Sequence, residues 1–290
     1  MWRPPKISHA AWVILGPRDK PKMTVEIAAM KNLPPQIFDK KAAAQRRLRA
    51  TRIAGDTFLI RDAADGLEQR LGAVMRAFHS KRALVLDAGE RLEAAPESLD
   101  LITSVLQLHA VNDLPGVLIQ ARRALKPDGL FLAALFGGET LTELRHSLAA
   151  AEIEVSGGVS PRVAPFADVR DLGGLLQRAG FALSVADVER TVVRYGDFFS
   201  LIRDLRAMGE TNALVERSRK PMSRAMLAAA VAHYAANFAD PDGKLRATFD
   251  VVYLTGWAPH ESQQQPLKPG SAKARLAQAL GTDERSAGET

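Results

Sequence analysis

The sequence has no cysteine, which excludes disulfides, thiolate metal sites and cysteine nucleophiles. It also lacks a long apolar run. Stretches such as Val251–Leu254 fall far short of the roughly 20 residues that cross a bilayer as a helix. Its six histidines form no i, i+4 pair beside an acid, so the helical zinc pattern is missing. No Gly-x-Ser-x-Gly elbow and no phosphate-binding P-loop occur. The short apolar stretch Trp12–Leu15 sits among Pro4, Pro5, Pro17 and Pro21, which break the apolar core a secretory signal needs. These absences together lead to the expectation of a cytoplasmic protein.

What is present begins with charge. Residues 1–82 carry 17 Lys/Arg against 7 Asp/Glu, a net of +10, while the whole chain is +6 and the remainder therefore −4. The basic residues are densest from Lys40 to Arg52. One reading is a patch for nucleic acid or anionic lipid. The other is a solvated helix face with Ile37, Ala44, Leu48 and Ile53 turned inward. No aromatic residue interleaves the arginines as base stacking requires, so the solvated helix is preferred and no nucleic-acid partner is expected.

Prolines recur through residues 1–35 and end in Pro34-Pro35, as in an unstructured leader. Leu67, Leu71, Val74, Met75 and Phe78 recur at three- and four-residue steps, predicting an amphipathic helix over 62–78. Arg82–Asp87 and Leu99–Gln107 are short apolar runs. Leu114, Val117, Leu118, Ala121 and Leu125 form a helix stripe that stops at Lys126-Pro127-Asp128-Gly129. Leu130–Phe136 is wholly apolar, as in a strand covered on both faces. Strand, helix, strand is a βαβ unit, whose crossover is right-handed. Helices are predicted over 140–153, 168–179, 197–209 and 222–238, and strands over 181–188 and 247–257. The tail beyond Pro266 is polar.

From Leu99 onward this order resembles the C-terminal half of class I S-adenosylmethionine methyltransferases. Ser98–Pro115 looks like strand 4 and its exit loop, and Leu125–Phe131 like the turn into strand 5. Three segments narrow the resemblance: Phe136–Arg145 (FGGETLTELR), Asp204–Asn212 (DLRAMGETN) and Gly256–Gln263 (GWAPHESQ). They look like the methyltransferase-like assembly factors of respiratory complex I and their bacterial relatives, neighbours of the malonyl-carrier methyltransferases. The opening Ile37–Lys40 is similar too. The implied fold is α/β, a reduced Rossmann-like sheet, mostly parallel with an antiparallel C-terminal strand and helices on both faces.

The first half of that fold is missing. Strand 1 of such an enzyme ends in a Gly-x-Gly loop whose backbone approaches the cofactor closely, and an acid after strand 2 binds its ribose. Only Glu90–Ser98 separate Gly89 from the strand at Leu99, too few for even one helical crossover of a dozen or more residues. The expected register makes Asp87–Asp100 the loop before strand 4 and pairs 83–87 in parallel with 99–105. If the pairing failed, the open edge of strand 4 would invite a second copy.

The resemblance implies S-adenosylmethionine as cofactor, with Asp87 and Ala88 capping its adenine and Ser104 and Leu106 lining its site. It places His109 and Asn112 where substrate and cofactor meet, as base and positioning group. Plainer readings stand beside these: Asp87 ends a strand, His109 is structural, and Asn112 with Asp113 caps the following helix. Tyr195 and the Arg203/Arg206 pair lie in the segment expected to cover the pocket. The expected organisation is a disordered leader over 1–35, a basic helical segment over 36–82, and the reduced domain over 83–265. A helical lid occupies about 190–246 of that domain, and a flexible tail covers 266–290. The functional expectation is methyl transfer to a protein or small-molecule acceptor, impaired by the lost glycine loop. The alternative is a non-catalytic assembly factor for a respiratory-chain subunit, and in either case the open sheet edge allows a homodimer.

Overall fold

The computed structural model describes residues 36–53, 55–264 and 281–282. The expected leader over 1–35 and nearly all of the tail over 266–290 lie outside the described residues. The elements are helices α1 (Lys40–Ala50) and α2 (Phe58–Gly72), strands β1 (Lys81–Ala83) and β2 (Leu99–Val105), a 3-10 turn at Leu108–Ala110, and α3 (Leu114–Ala124). There follow β3 (Leu125–Gly137), α4 (Thr142–Ser156), α5 (Val169–Arg178), β4 (Ala182–Tyr195), α6 (Phe198–Ala207), α7 (Arg224–Phe238) and β5 (Leu245–Trp257). The five strands form one sheet in the order β1-β2-β3-β5-β4. Strands β1, β2 and β3 are mutually parallel, and β5 runs antiparallel to both β3 and β4. This is the reduced α/β sheet that the family resemblance implied.

Core residues lie on both faces of the sheet. On one face, Leu59 and Leu67 of α2, Leu144 and Leu148 of α4, and Tyr234 of α7 pack against Leu130, Leu132 and Phe249. On the other, Leu118 of α3 and Leu172 and Leu176 of α5 cover Ile102, Phe131, Leu135 and Val252. Strand β3 has apolar residues pointing both ways, because both of its faces are dry. It is buried from Leu130 to Gly137.

The predicted pairing beside β2 holds within the chain, two residues earlier than expected. Lys81, Arg82 and Ala83 pair with Leu101, Ile102 and Thr103, and the Leu84 N–H donates to the Thr103 carbonyl at 2.7 Å. Beyond it the chain folds back on itself, with a bridge between Leu86 and Leu92. Asp100 secures the approach: its Oδ2 accepts the Ser80 N–H at 2.9 Å, and its own N–H donates to the Ser80 carbonyl at 2.8 Å.

Several expected boundaries and faces are corrected. Helix α2 starts at Phe58 and ends at Gly72, not at Phe78. Met75 is fully exposed, while Phe78 still enters the core from an irregular segment. Arg76 pairs with Asp128 from that segment. Strand β4 runs on to Tyr195, since β5 offers it a partner along its whole length. The Lys126–Gly129 turn lies inside an irregular start of β3, where Asp128 takes φ 62° and the register against β2 shifts. Helix α1 buries Ala42 and leaves Ile37, Leu48 and Ile53 exposed. The face turned inward is the one that carries Arg46, not the one that carries Leu48.

Candidate functional site

The loop from β3 into α4 is closely tied to β5. Gly137 leaves β3 where an added Cβ would stand 2.6 Å from Val252 Cγ2, and Gly138 takes φ +50° beside Asp250. The Thr140 hydroxyl donates to the Gly137 carbonyl at 2.7 Å and accepts the Asp250 N–H at 3.0 Å. The Asp250 carboxylate accepts the Glu139 N–H at 2.9 Å and holds both arms of Arg190 at 2.7 and 2.8 Å. Burial alone would raise the Asp250 pKa, but Arg190 and the Glu139 amide outweigh it and keep the carboxyl below its usual range. In α4, the buried Glu143 accepts the Thr248 N–H at 3.0 Å. The FGGETLTE segment is thus a fastener between β3 and β5, and it fixes the direction in which Phe136 points.

Phe136 opens onto a cavity of about 170 Å³ at the C-terminal ends of β2 and β3. Its walls include Phe136, Phe166, Leu144, Ile202 and Phe249, with His109, Glu210, Arg47 and Arg162 as polar members. The buried His109 ring is 5.0 Å from Phe136 and 6.1 Å from Phe166. Its Nε2 lies 2.9 Å from Glu210 Oε2, and its Nδ1 faces the Phe136 N–H at 3.5 Å. A ring nitrogen that accepts from a backbone amide carries no proton. That assigns the proton to Nε2, which donates it to Glu210. Arg162 is held by Glu152 through two bonds of 2.9 and 2.8 Å. The Arg162 guanidinium brings the Glu152 pKa down to about 2.

The other expected site residues lie elsewhere. Asp87 and Ala88 are exposed in the loop after β1. Asp87 Oδ1 accepts the N–H groups of Gly89 at 2.7 Å and Arg91 at 2.8 Å. Next to it the buried Glu90 accepts the N–H groups of Asn112 and Asp113, each at 2.9 Å, and pairs with Lys40. Burial pushes the Glu90 pKa up, yet these donors and Lys40 hold it below the usual value. The Asn112 side chain accepts from Ile37 and Phe38 and donates to the Phe38 carbonyl and to Glu90. Asp113, not Asn112, caps α3, through Gly116. Ser104 is buried on β2 with its hydroxyl unpartnered among the described residues. Leu106 is buried at φ 45°. Of the six expected residues, the structure brings only His109 to the cavity. Tyr195 is buried behind α6, away from the cavity lining, and burial followed by the nearby Asp204 raises its pKa.

Sequence reasoning missed Glu210 as the partner of His109, because 101 positions separate them. The DLRAMGETN motif was the available signal. It also missed the strap made by residues 37–39, whose backbone pairs with 213–215: Asp39 N–H to Ala213 O at 2.8 Å and Val215 N–H to Ile37 O at 2.9 Å.

A methyltransferase domain family matches residues 64–133. The mitochondrial arginine-hydroxylase NDUFAF5 of Dictyostelium discoideum is 47% identical over 64% of this chain and 43% of its own length. The human protein of that name is 46% identical over 65% of this chain and 54% of its own. A malonyl-[acyl-carrier protein] O-methyltransferase of Methylovorus is 36% identical over 74% of this chain and 69% of its own. The chain thus spans about half the length of its arginine-hydroxylase relatives. Their names place them in mitochondria, which overturns the cytoplasmic expectation. Lack of cysteine and of apolar runs, on which it was built, does not separate one aqueous compartment from another. Among the described residues no helix is long and apolar enough to cross a membrane. The chain belongs to the methyltransferase family that contains the malonyl-[acyl-carrier protein] O-methyltransferases and the NDUFAF5 arginine-hydroxylases.

Proposed function

We propose that this chain is a partner-binding member of its family: it receives a side chain of a protein acceptor in the cavity beside His109 and Glu210 and transfers no methyl group. The carrying observation is the contrast between the two ends of the site. The cavity at β3 is built, walled and fastened. The cofactor end, at the tip of β1, is closed by the protein's own groups.

S-adenosylmethionine is the cofactor the family implies, and the residues here do not fit it. A nucleoside cofactor needs backbone N–H groups open to it after the first strand. In this loop the Asp87 carboxylate takes those of Gly89 and Arg91, and Glu90 takes those of Asn112 and Asp113. The chain between Gly89 and Leu99 has no room for the strand that carries a ribose-binding acid. Asn112 is committed to the 37–38 strap, which removes it from substrate chemistry. His109 remains as the group that would meet an acceptor.

The names of the arginine-hydroxylase relatives suggest an arginine side chain as the guest. The Glu210 carboxylate offers a bidentate partner for a guanidinium, and the faces of Phe136 and Phe166 suit its plane. Arg47 also lines the cavity and disfavours a second cation, so Glu210 has to outweigh it. The acceptor is a respiratory-chain subunit on the family resemblance, and the relatives' mitochondrial address is carried to this chain as part of the same proposal.

Calorimetric titration with S-adenosylmethionine should give no heat at millimolar concentration. A dissociation constant of ~100 μM or tighter, about −5.5 kcal/mol, would return the chain to the transferases. Affinity purification from the native host should recover a respiratory subunit with the wild type and lose it with Glu210→Ala. Recovery of none with the wild type sinks the partner assignment.

A further inference from the structure

Outside the cavity, where α1, α4 and α6 meet, lies an open cleft of about 560 Å³. Its walls bring together Arg46 and Arg49 of α1, Arg206 of α6, and Arg162, over an apolar floor that includes Leu148 and Ile202. Arg162 is neutralised by Glu152. Arg46, Arg49 and Arg206 have no carboxylate within ion-pair distance among the described residues. Arg46 stands out: its Nη1 is buried and has no hydrogen-bond partner there.

An uncompensated guanidinium nitrogen removed from water is costly, since it has lost hydration and gained nothing in return. Burial, and then the nearby charge of Arg217, pushes the Arg46 pKa below the ordinary arginine value. Helix α1 turns Leu48 outward, at 60% exposure, and holds Arg46 half-buried on its inner face. The arrangement gains once an anion enters the cleft.

We propose that this cleft is an oxyanion site for a phosphate monoester. A single carboxylate would leave three such guanidiniums under-neutralised. A phosphate monoester carries about −1.5 to −2 charges at neutral pH and three acceptor oxygens, and the planar arginine fork matches phosphate in bidentate fashion. Thr211 and Asn212 line the same cleft, with the Asn212 side chain bonded to the Pro161 carbonyl and the Leu214 N–H. The cleft adjoins the deep cavity and shares Arg162 and Ile202 with its wall, but Arg46, Arg49 and Arg206 line the cleft and not the cavity that holds His109 and Glu210. The phosphate can belong to a small molecule or to a phosphorylated protein segment; both present the same group.

The test uses the full chain and two probes, phenyl phosphate and a phosphoserine peptide, titrated in chloride at fixed ionic strength. Saturable binding of at least one probe is expected, weakened roughly tenfold or more in Arg46→Gln and in Arg206→Gln, the loss of one charged hydrogen bond. Arg206 is exposed, so its variant reports on binding even where Arg46→Gln loosens α1. Phenyl phosphate binding alone assigns the site to a small molecule, and peptide binding alone to a phosphoprotein. Absence of binding by both probes, or equal affinity in the wild type and both variants, overturns the proposal.

Discussion

Asn112 Oδ1 accepts two consecutive backbone N–H groups, from Ile37 at 2.7 Å and from Phe38 at 2.8 Å. One buried amide in the loop between β2 and α3 thereby holds the start of the described chain against the sheet. The same Ile37–Asp39 segment pairs with Ala213–Val215, next to Glu210. The strap, the cavity wall and the β2 exit loop are therefore one mechanical unit.

Replacing Asn112 by Ala strands the buried Phe38 N–H and removes a donor to Glu90. One unsatisfied buried group costs about 1–3 kcal/mol, so Asn112→Ala should lower stability by about 2 kcal/mol in urea unfolding. Amide exchange at residues 37–39 should rise with it. Unchanged exchange there would mean that the 213–215 pairing holds the strap alone.

The Glu152–Arg162 pair sets an acid-side dependence. The folded Glu152 pKa is about 2 against an ordinary 4.5, a depressed value. Its stabilising contribution is complete above pH 4.5 and is lost as pH falls through that interval towards 2. The urea midpoint of the wild type should therefore fall more steeply than that of Glu152→Gln between pH 4.5 and 2.5. Parallel acid limbs would show that the carboxylate is not preferentially stabilised in the fold.

Gly137 and Gly158 make a matched pair of controls. A Cβ at Gly137 meets Val252 Cγ2 at 2.6 Å and the Ala167 carbonyl at 3.0 Å, in buried surroundings. Overpacking of this kind costs about 1–3 kcal/mol. At Gly158 an added Cβ meets nothing within 4 Å. Thermal unfolding should show Gly137→Ala destabilised and Gly158→Ala close to the wild type. Equal midpoints would mean that Val252 yields easily and that the FGG turn is less tightly fastened than its contacts imply.

The sheet was legible in the sequence where a local property decided it. Leu130–Phe136 is apolar throughout, and only a strand covered on both faces tolerates that. The parallel neighbour of β2 was expected because the edge of that strand would otherwise stay open, while the residues between Gly89 and Leu99 only ruled out a helical crossover. The inward face of α1 was not legible. Leu48 promises burial by its own chemistry, but the direction of the helix is set by Asp39, which caps it and pairs with Arg217 178 positions away. Asn112 read as a helix cap because that is its commonest local use, while its actual partners lie 74 and 75 positions upstream. The pairing of His109 with Glu210 is equally distant and equally silent in the sequence.

Leu84 provides the decisive test of how β1 is attached. The strand has three residues, Lys81, Arg82 and Ala83, all exposed, and a strand so short contributes little by itself. Leu84 is fully buried directly after it, in the core under α3. Its N–H donates to Thr103 O at 2.7 Å. Leu84→Ala should cost about 2–3 kcal/mol, the low end of the range for buried leucines, since a segment at the sheet edge can collapse onto the cavity. Amide exchange should increase at 81–84 and stay protected at 130–136, in the centre of β3. If the strand instead remains protected in Leu84→Ala, the Asp100 bonds to Ser80 carry the attachment. Asp100→Ala should then release β1 where Leu84→Ala did not.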